Sequence, residues 1–383
     1  MKSDRLMPLS SVCDIKMGQS PSSTSYNKDG KGIPFFQGNA DFGAINPKVQ
    51  YWCDQPIKIA KTNDILISVR APIGAINIAT EKCCIGRGLA ALTIKGELGS
   101  NKYLYYALRN KASALISNGK GSTFKAINKR DLEDIYIPVP AKKIQNEIAL
   151  ALDFVQKLIF LRKKQVNTLN LLVKSRFIEM FGDPVTNPMG WEVKRLGEIF
   201  SIIDGDRGEN YPKGEDFFNA EYCLFLNAGN VTSVGFDFTK NQFITKEKDL
   251  KLRKGRLIRG DIVITTRGTV GNIAFYDSTI PYDVIRINSG MVLLRGYVDF
   301  VEPFYFIQVV RSFNIMTQYL SGSAQPQLPI SSMKNIPFIL PPLALQNRFA
   351  EFVKQVDKSK FVMQKELEKL ELAYKALMQQ YFG

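Results

Sequence analysis

Apolar residues recur at three- and four-residue spacing along two segments, 141–181 and 344–382, neither of which contains glycine or proline. In the first, the spacing picks out Ile148, Leu152, Val155, Ile159, Arg162, Val166, Leu169, Val173, Arg176 and Met180. In the second it picks out Phe349, Val353, Val356, Lys360, Met363, Leu367, Leu370, Tyr374, Leu377 and Tyr381. Eight of ten positions in the first and nine of ten in the second are apolar, which predicts two long helices with heptad seams. A helix of about 40 residues is ~60 Å long at 1.5 Å per residue, too long for a modest domain to enclose. Each seam therefore needs another helix, and the nearest candidate is the other one, in an antiparallel coiled coil. Two helices on separate partners is the alternative. Apolar residues off the seam (Phe154, Leu158, Leu161, Leu171, Leu172 and Phe177) predict a further covered surface, which partner proteins could supply.

The rest of the chain is punctuated differently. Short β-branched runs alternate with Gly, Pro and Asn; Ile65 to Val69 and Ile262 to Thr266 read as buried strands, each entered from an Asp turn. Tyr103 to Leu115 and Phe304 to Tyr319 read as helices. Strands and then helices, without regular alternation, indicate α+β domains. The two halves also repeat each other. Leu9, Val12, Ile15 and Gly18 match Leu196, Ile199, Ile202 and Gly205 at an offset of 187, and Asp64 to Arg70 matches Asp261 to Arg267 at 197. From Gly121 and Gly322 the offset holds at 201 through Pro140/Pro341 and Gln145/Gln346 to Phe181-Gly182 and Phe382-Gly383. A repeat of this length sets the architecture. The expected organisation is an α+β domain at 1–140, a long helix at 141–182, a second domain at 183–343 and a second helix at 344–383, arranged as a pseudo-twofold dumbbell.

Composition narrows the chemistry. The 383 residues include no histidine, which excludes His-based acid–base and nucleophile systems and imidazole metal sites. Five cysteines without CxxC spacing form no disulfide framework or zinc motif. No apolar run reaches the ~20 residues of a membrane span, and Met1-Lys2-Ser3-Asp4 leads into no signal-peptide core, so the expected compartment is the cytoplasm. No phosphate loop, dinucleotide fingerprint, amino-methyltransferase tetrapeptide or nuclease cluster occurs. The chain reads as a binding scaffold with no catalytic residues, metal or cofactor of its own. Its net charge of +15 is uneven. Residues 1–182 carry 27 Lys/Arg against 14 Asp/Glu, net +13, and residues 183–383 carry 24 against 22, net +2. Such an excess favours a polyanion partner. In the second half, Lys251, Arg253, Lys254, Arg256 and Arg259 form a local basic run.

The tandem layout resembles the specificity subunit of Type I restriction–modification enzymes. So does the linker Phe181-Gly182-Asp183-Pro184 through Asn187 to Gly190-Trp191-Glu192-Val193-Lys194-Arg195-Leu196-Gly197. The segments Ile135-Tyr136-Ile137-Pro138-Val139-Pro140 to Gln145, and Ile336-Pro337-Phe338-Ile339-Leu340-Pro341-Pro342 to Gln346, are similar to that family's strand-to-helix junction. The resemblance spans essentially the whole chain. It implies two target recognition domains, each reading one half of a split double-stranded DNA sequence. It further implies helices that act as spacer and bind two methyltransferase subunits carrying S-adenosylmethionine, with restriction translocase–nuclease subunits completing the complex. One departure is Val139-Pro140-Ala141-Lys142-Lys143 against Leu340-Pro341-Pro342-Leu343-Ala344, which implies unlike partner contacts at the two junctions.

Base reading takes Arg or Lys for guanine, Asn or Gln for adenine, and Ser or Thr for either. The resemblance places the loops 121–125 and 322–327 near DNA, which selects Lys120, Ser122, Lys125, Ser323, Gln325 and Gln327. The turns after the buried strands add Arg70, Arg267 and Thr269. Asn39 and Asn230, read as equivalents, join Gln19, Arg207, Arg87 and Arg286 as further candidates; Asn39, Asn230, Arg70 and Arg267 also fit a purely structural role in turns. Two other functions stay open from sequence: a self-contained DNA-modifying enzyme, and a coiled-coil adaptor that never touches DNA.

Overall fold

The computed structural model describes residues 6–118, 126–297, 299–313, 315–322 and 325–383, and for 113–118 the backbone only. The chain forms two compact units, one of residues 1–164 with 364–383, the other of residues 165–363.

Each unit is built on the same four-stranded antiparallel sheet. In the first unit the order is Cys13–Met17, Leu89–Ile94, Ile65–Ser68, Ile76–Ile78. In the second it is Ser201–Asp204, Met291–Arg295, Ile262–Thr265, Ile273–Phe275. Ile65–Ser68 and Ile262–Thr265 are buried at every position, as their unbroken apolar runs require. The Asp turns are confirmed: Asp64 accepts the Lys61 N–H at 2.7 Å and Asp261 the Ile258 N–H at 2.9 Å. A second sheet accompanies each, of five strands in the first unit and three in the second. In both, one strand pair is parallel, Ile33–Phe36 with Cys83–Ile85 and Cys223–Leu226 with Ile285–Ile287. Helices Asn101–Asn118 and Pro303–Phe313 complete the units.

The long helices run from Lys142 to Phe181 and from Leu343 to Phe382. None of the ten seam positions in either helix is exposed. Within the first unit Ile148 and Leu152 share a core with Met378 and Phe382, while Arg162 reaches Glu366 at 2.5 Å, so the helices run antiparallel there. Within the second unit Phe177 and Phe181 pack on Phe349, ring centroids 5.5 and 5.6 Å apart. The three charged seam residues each have an acid: Arg162 with Glu366, Arg176 with Glu179 at 2.8 Å and Lys360 with Asp357 at 3.2 Å. Of the off-seam positions, Phe177 is covered by the chain itself, buried among Phe181, Tyr305 and Phe349. Phe154, Leu161, Leu171 and Leu172 are exposed, as are Leu150 and Phe160.

The repeated glutamines explain the strand-to-helix junction. Gln145 donates to Leu98 O and Pro140 O and accepts the Ser100 N–H. Gln346 does the same with Phe300 O, Pro341 O and the Glu302 N–H. A buried amide that fills these sites ties the strand end, the helix start and the preceding loop together. All five cysteines are buried and unbridged, and burial pushes the thiols of Cys13, Cys83 and Cys223 up to about 12. Among the described residues no helix is long and apolar enough to cross a membrane, and no cluster of acids and cysteines is fit to hold a metal ion.

Candidate nucleic-acid interface

In the first unit, backbone hydrogen bonds gather four turns onto one rim. Gln19 N–H donates to Ile85 O at 3.0 Å, Gly86 N–H to Phe36 O at 2.8 Å, Gly88 N–H to Gln37 O at 3.2 Å and Val69 N–H to Gly88 O at 2.9 Å. Arg87 N–H reaches the Ser20 hydroxyl at 3.2 Å. This brings together the turns that carry Gln19, Asn39, Arg70 and Arg87. Gln19, Arg70 and Arg87 are exposed, with no side-chain hydrogen bond or ion pair among the described residues. The turns touch so closely that a Cβ at Gly18 would lie 2.2 Å from Gly86 O. Only glycine fits, which explains its recurrence as Gly205, where a Cβ would lie 2.1 Å from Asn288 O.

The second unit repeats the scaffold with other side chains. Thr266 N–H donates to Gly290 O and Leu328 N–H to Thr266 O, matching Val69 to Gly88 and Ile127 to Val69 in the first unit. Arg267 bridges Gln327 along the backbone, as Arg70 does Ala126. Arg207 leans on Asp204 and on Ser289 O. Gln325 is exposed and Gln327 half-buried. Thr269 is exposed and accepts from the Asn272 amide at 3.2 Å, which braces the turn. Lys120, Ser122, Lys125 and Ser323 lie outside the described residues.

Two candidates turn inward. Asn230 is buried, donating to Asp237 O and Lys240 O at 2.9 Å and accepting the Asn227 N–H at 2.9 Å. Its counterpart is Asp41, not Asn39: both close a one-turn helix, and Asp41 accepts the Gln37 N–H just as Asn230 accepts that of Asn227. Arg286 is buried against Asp249 and also donates to Lys254 O, Asp249 O and Leu252 O. Every donor group it has faces protein, so neither residue is placed to read a base. The basic run is largely neutralised too. Arg256 pairs with Asp249 at 3.4 Å, Arg253 lies 3.8 Å from Asp206, and Arg259 pairs with Asp283 at 2.8 Å while covering the Tyr276 ring. Burial raises the Asp206 carboxyl, but the N–H groups of Gly208 and Arg253 outweigh it and hold the group below the usual carboxylate range.

Sequence reasoning overlooked Gln37, exposed on the first rim beside Gly88, and Asn227, its counterpart. Their signal is positional: each is the first polar residue after a buried strand, Ile33–Phe36 or Cys223–Leu226.

These features define a duplicated binding scaffold whose units share a backbone frame and differ in the side chains at its rim. The family model described as Type I restriction modification DNA specificity domain matches it twice, over residues 5–171 and 188–372, and the chain belongs to that family. It is similar to a Methanocaldococcus jannaschii protein assigned as the type I restriction enzyme MjaX specificity subunit. The two are 46% identical over 151 residues, 39% of this chain and 36% of that relative's length. It is also similar to the M. jannaschii type I restriction enzyme MjaIX specificity subunit, 27% identical over 316 residues, 78% of this chain and 71% of the relative. In fold it matches the crystal structure of the Type-I restriction-modification system S subunit from M. genitalium, with a TM-score of 0.63 and 18% identity over 100% of this chain and 97% of that one.

Proposed function

We propose that the chain is the non-catalytic DNA sequence-recognition subunit of a Type I restriction–modification system. Each unit reads one half of a bipartite duplex target, and the long helices set the gap between the halves. The observation that carries this reading is the pair of matched rims with unlike side chains: Gln19, Gln37 and Arg87 on one frame, Arg207, Asn227 and Gln325 on the other. A shared frame with divergent amides and guanidiniums suits two readers of different sequences. The methyl transfer belongs to two methyltransferase subunits that bring S-adenosylmethionine, and translocase–nuclease subunits complete the restriction complex. Exposed Leu150, Phe154, Phe160, Leu161 and Leu171 on the first long helix support it as a docking surface for the methyltransferase subunits.

Gln325→Ala is expected to relax base preference in one half-site only, by about 1–3 kcal/mol at the affected base. Affinities for duplexes with single substitutions in either half-site measure this. Equal losses at both halves would contradict the assignment.

A further inference from the structure

A groove of about 660 Å³ lies along the strand Cys13–Met17 of the first unit, lined by Lys16, Lys58, Lys61 and Lys129 together with Asp14 and Gln19. Lys16 donates to Ile59 O at 2.6 Å and Lys129 sits 3.4 Å from Glu133, while Asp14 faces Lys95 at 3.7 Å. Lys58 and Lys61 have no side-chain hydrogen bond or ion pair among the described residues. Because Gln19 belongs to both the groove and the rim, the two surfaces are continuous.

Among the described residues of the second unit, none of the four lysines recurs. Matched backbone contacts fix the equivalent positions. Ile85 N–H bonds Lys58 O as Ile287 N–H bonds Gly255 O, and Lys61 N–H bonds Asp64 as Ile258 N–H bonds Asp261. Lys16 faces Ala91 where Ile203 faces Leu293, and Lys129 opens the short helix that Ile330 opens in the second unit. All four lysines are thus replaced by uncharged residues. The neighbouring arginines of that unit are held by acids: Arg256 by Asp249, Arg259 by Asp283 and Arg295 by Asp261.

We infer that this groove is a track for the sugar–phosphate backbone of duplex DNA, built into the first unit alone. Flexible ammonium groups grip phosphates as point charges without reading bases. The first unit therefore supplies the larger sequence-independent, salt-sensitive share of binding, in keeping with its excess of charge. The inference rests on the DNA-recognition reading above, and its test separates the two.

The test measures binding of the full chain to a short duplex of arbitrary sequence across a salt series. Each phosphate contact contributes about 0.9 to the slope of log affinity against log salt, so Lys58→Gln/Lys61→Gln flattens it by about 2. Lys143→Gln/Lys157→Gln, which removes the same charge from exposed positions on the first long helix, keeps the parent slope. Matching thermal melts show that both variants fold. Equal flattening in the two variants, or an unchanged slope in the groove variant, overturns the track. A parent chain whose duplex binding ignores salt overturns the DNA reading itself.

Discussion

Phe349→Ala is expected to lower the stability of the second unit by about 3–5 kcal/mol, the usual loss when a phenyl ring leaves a closed core. Phe349 is fully buried where the long helices meet, touching Phe177, Phe181 and Tyr305. No neighbour is positioned to refill the space, because these rings pack on one another from several sides. Val362→Ala, at a position 56% exposed on the same helix and within the same unit, should shift stability by no more than about 0.5 kcal/mol. Denaturant unfolding followed by Trp191, which packs on the same cluster, reads the difference in a Trp52→Phe background. Similar small shifts for both variants would mean that the helices do not share a core there.

Arg286→Gln is expected to destabilise the second unit by about 3 kcal/mol without changing base preference in the folded fraction. The substitution strands the Asp249 carboxylate, whose side chain is fully buried, and leaves only Arg256 at 3.4 Å. Removing both charges, as Arg286→Met with Asp249→Leu, should recover most of the loss, since a buried pair stabilises little over well-packed apolar residues. The first unit already shows an uncharged solution: Cys84 holds the same strand register, facing Phe35 as Arg286 faces Phe225. Unfolding measurements alongside duplex binding decide the matter. An Arg286→Gln variant of unchanged stability but altered base preference would restore Arg286 as a reader.

What was legible in the sequence was whatever a period or a repeated glycine could carry. The seams were readable because a 3.5-residue repeat ran through about 40 residues without a breaker, and every one of those positions is sheltered. Gly18 and Gly205 were visible as a repeated pair because only glycine survives the backbone approach behind them. Asn230 takes the structural one of its two readings, whereas Arg286 departs from its reading, for a different reason. A polar side chain near a turn carries no mark of whether it faces water or a distant strand, and the partner of Arg286 lies 37 residues away. Asn39 was matched to Asn230 because residue type suggested it; the shared hydrogen-bond pattern puts Asp41 there instead. The lysine groove escaped notice because its residues come from separate segments of chain, joined only by the fold.

The central claim is that one chain carries two unlike readers at a set separation. Selection of bound duplexes from a random pool, using the full chain with the methyltransferase subunits proposed for it, tests it most directly. The account predicts two short, different motifs divided by a gap of constant length. A single uninterrupted motif, or the same motif recovered twice, would contradict it.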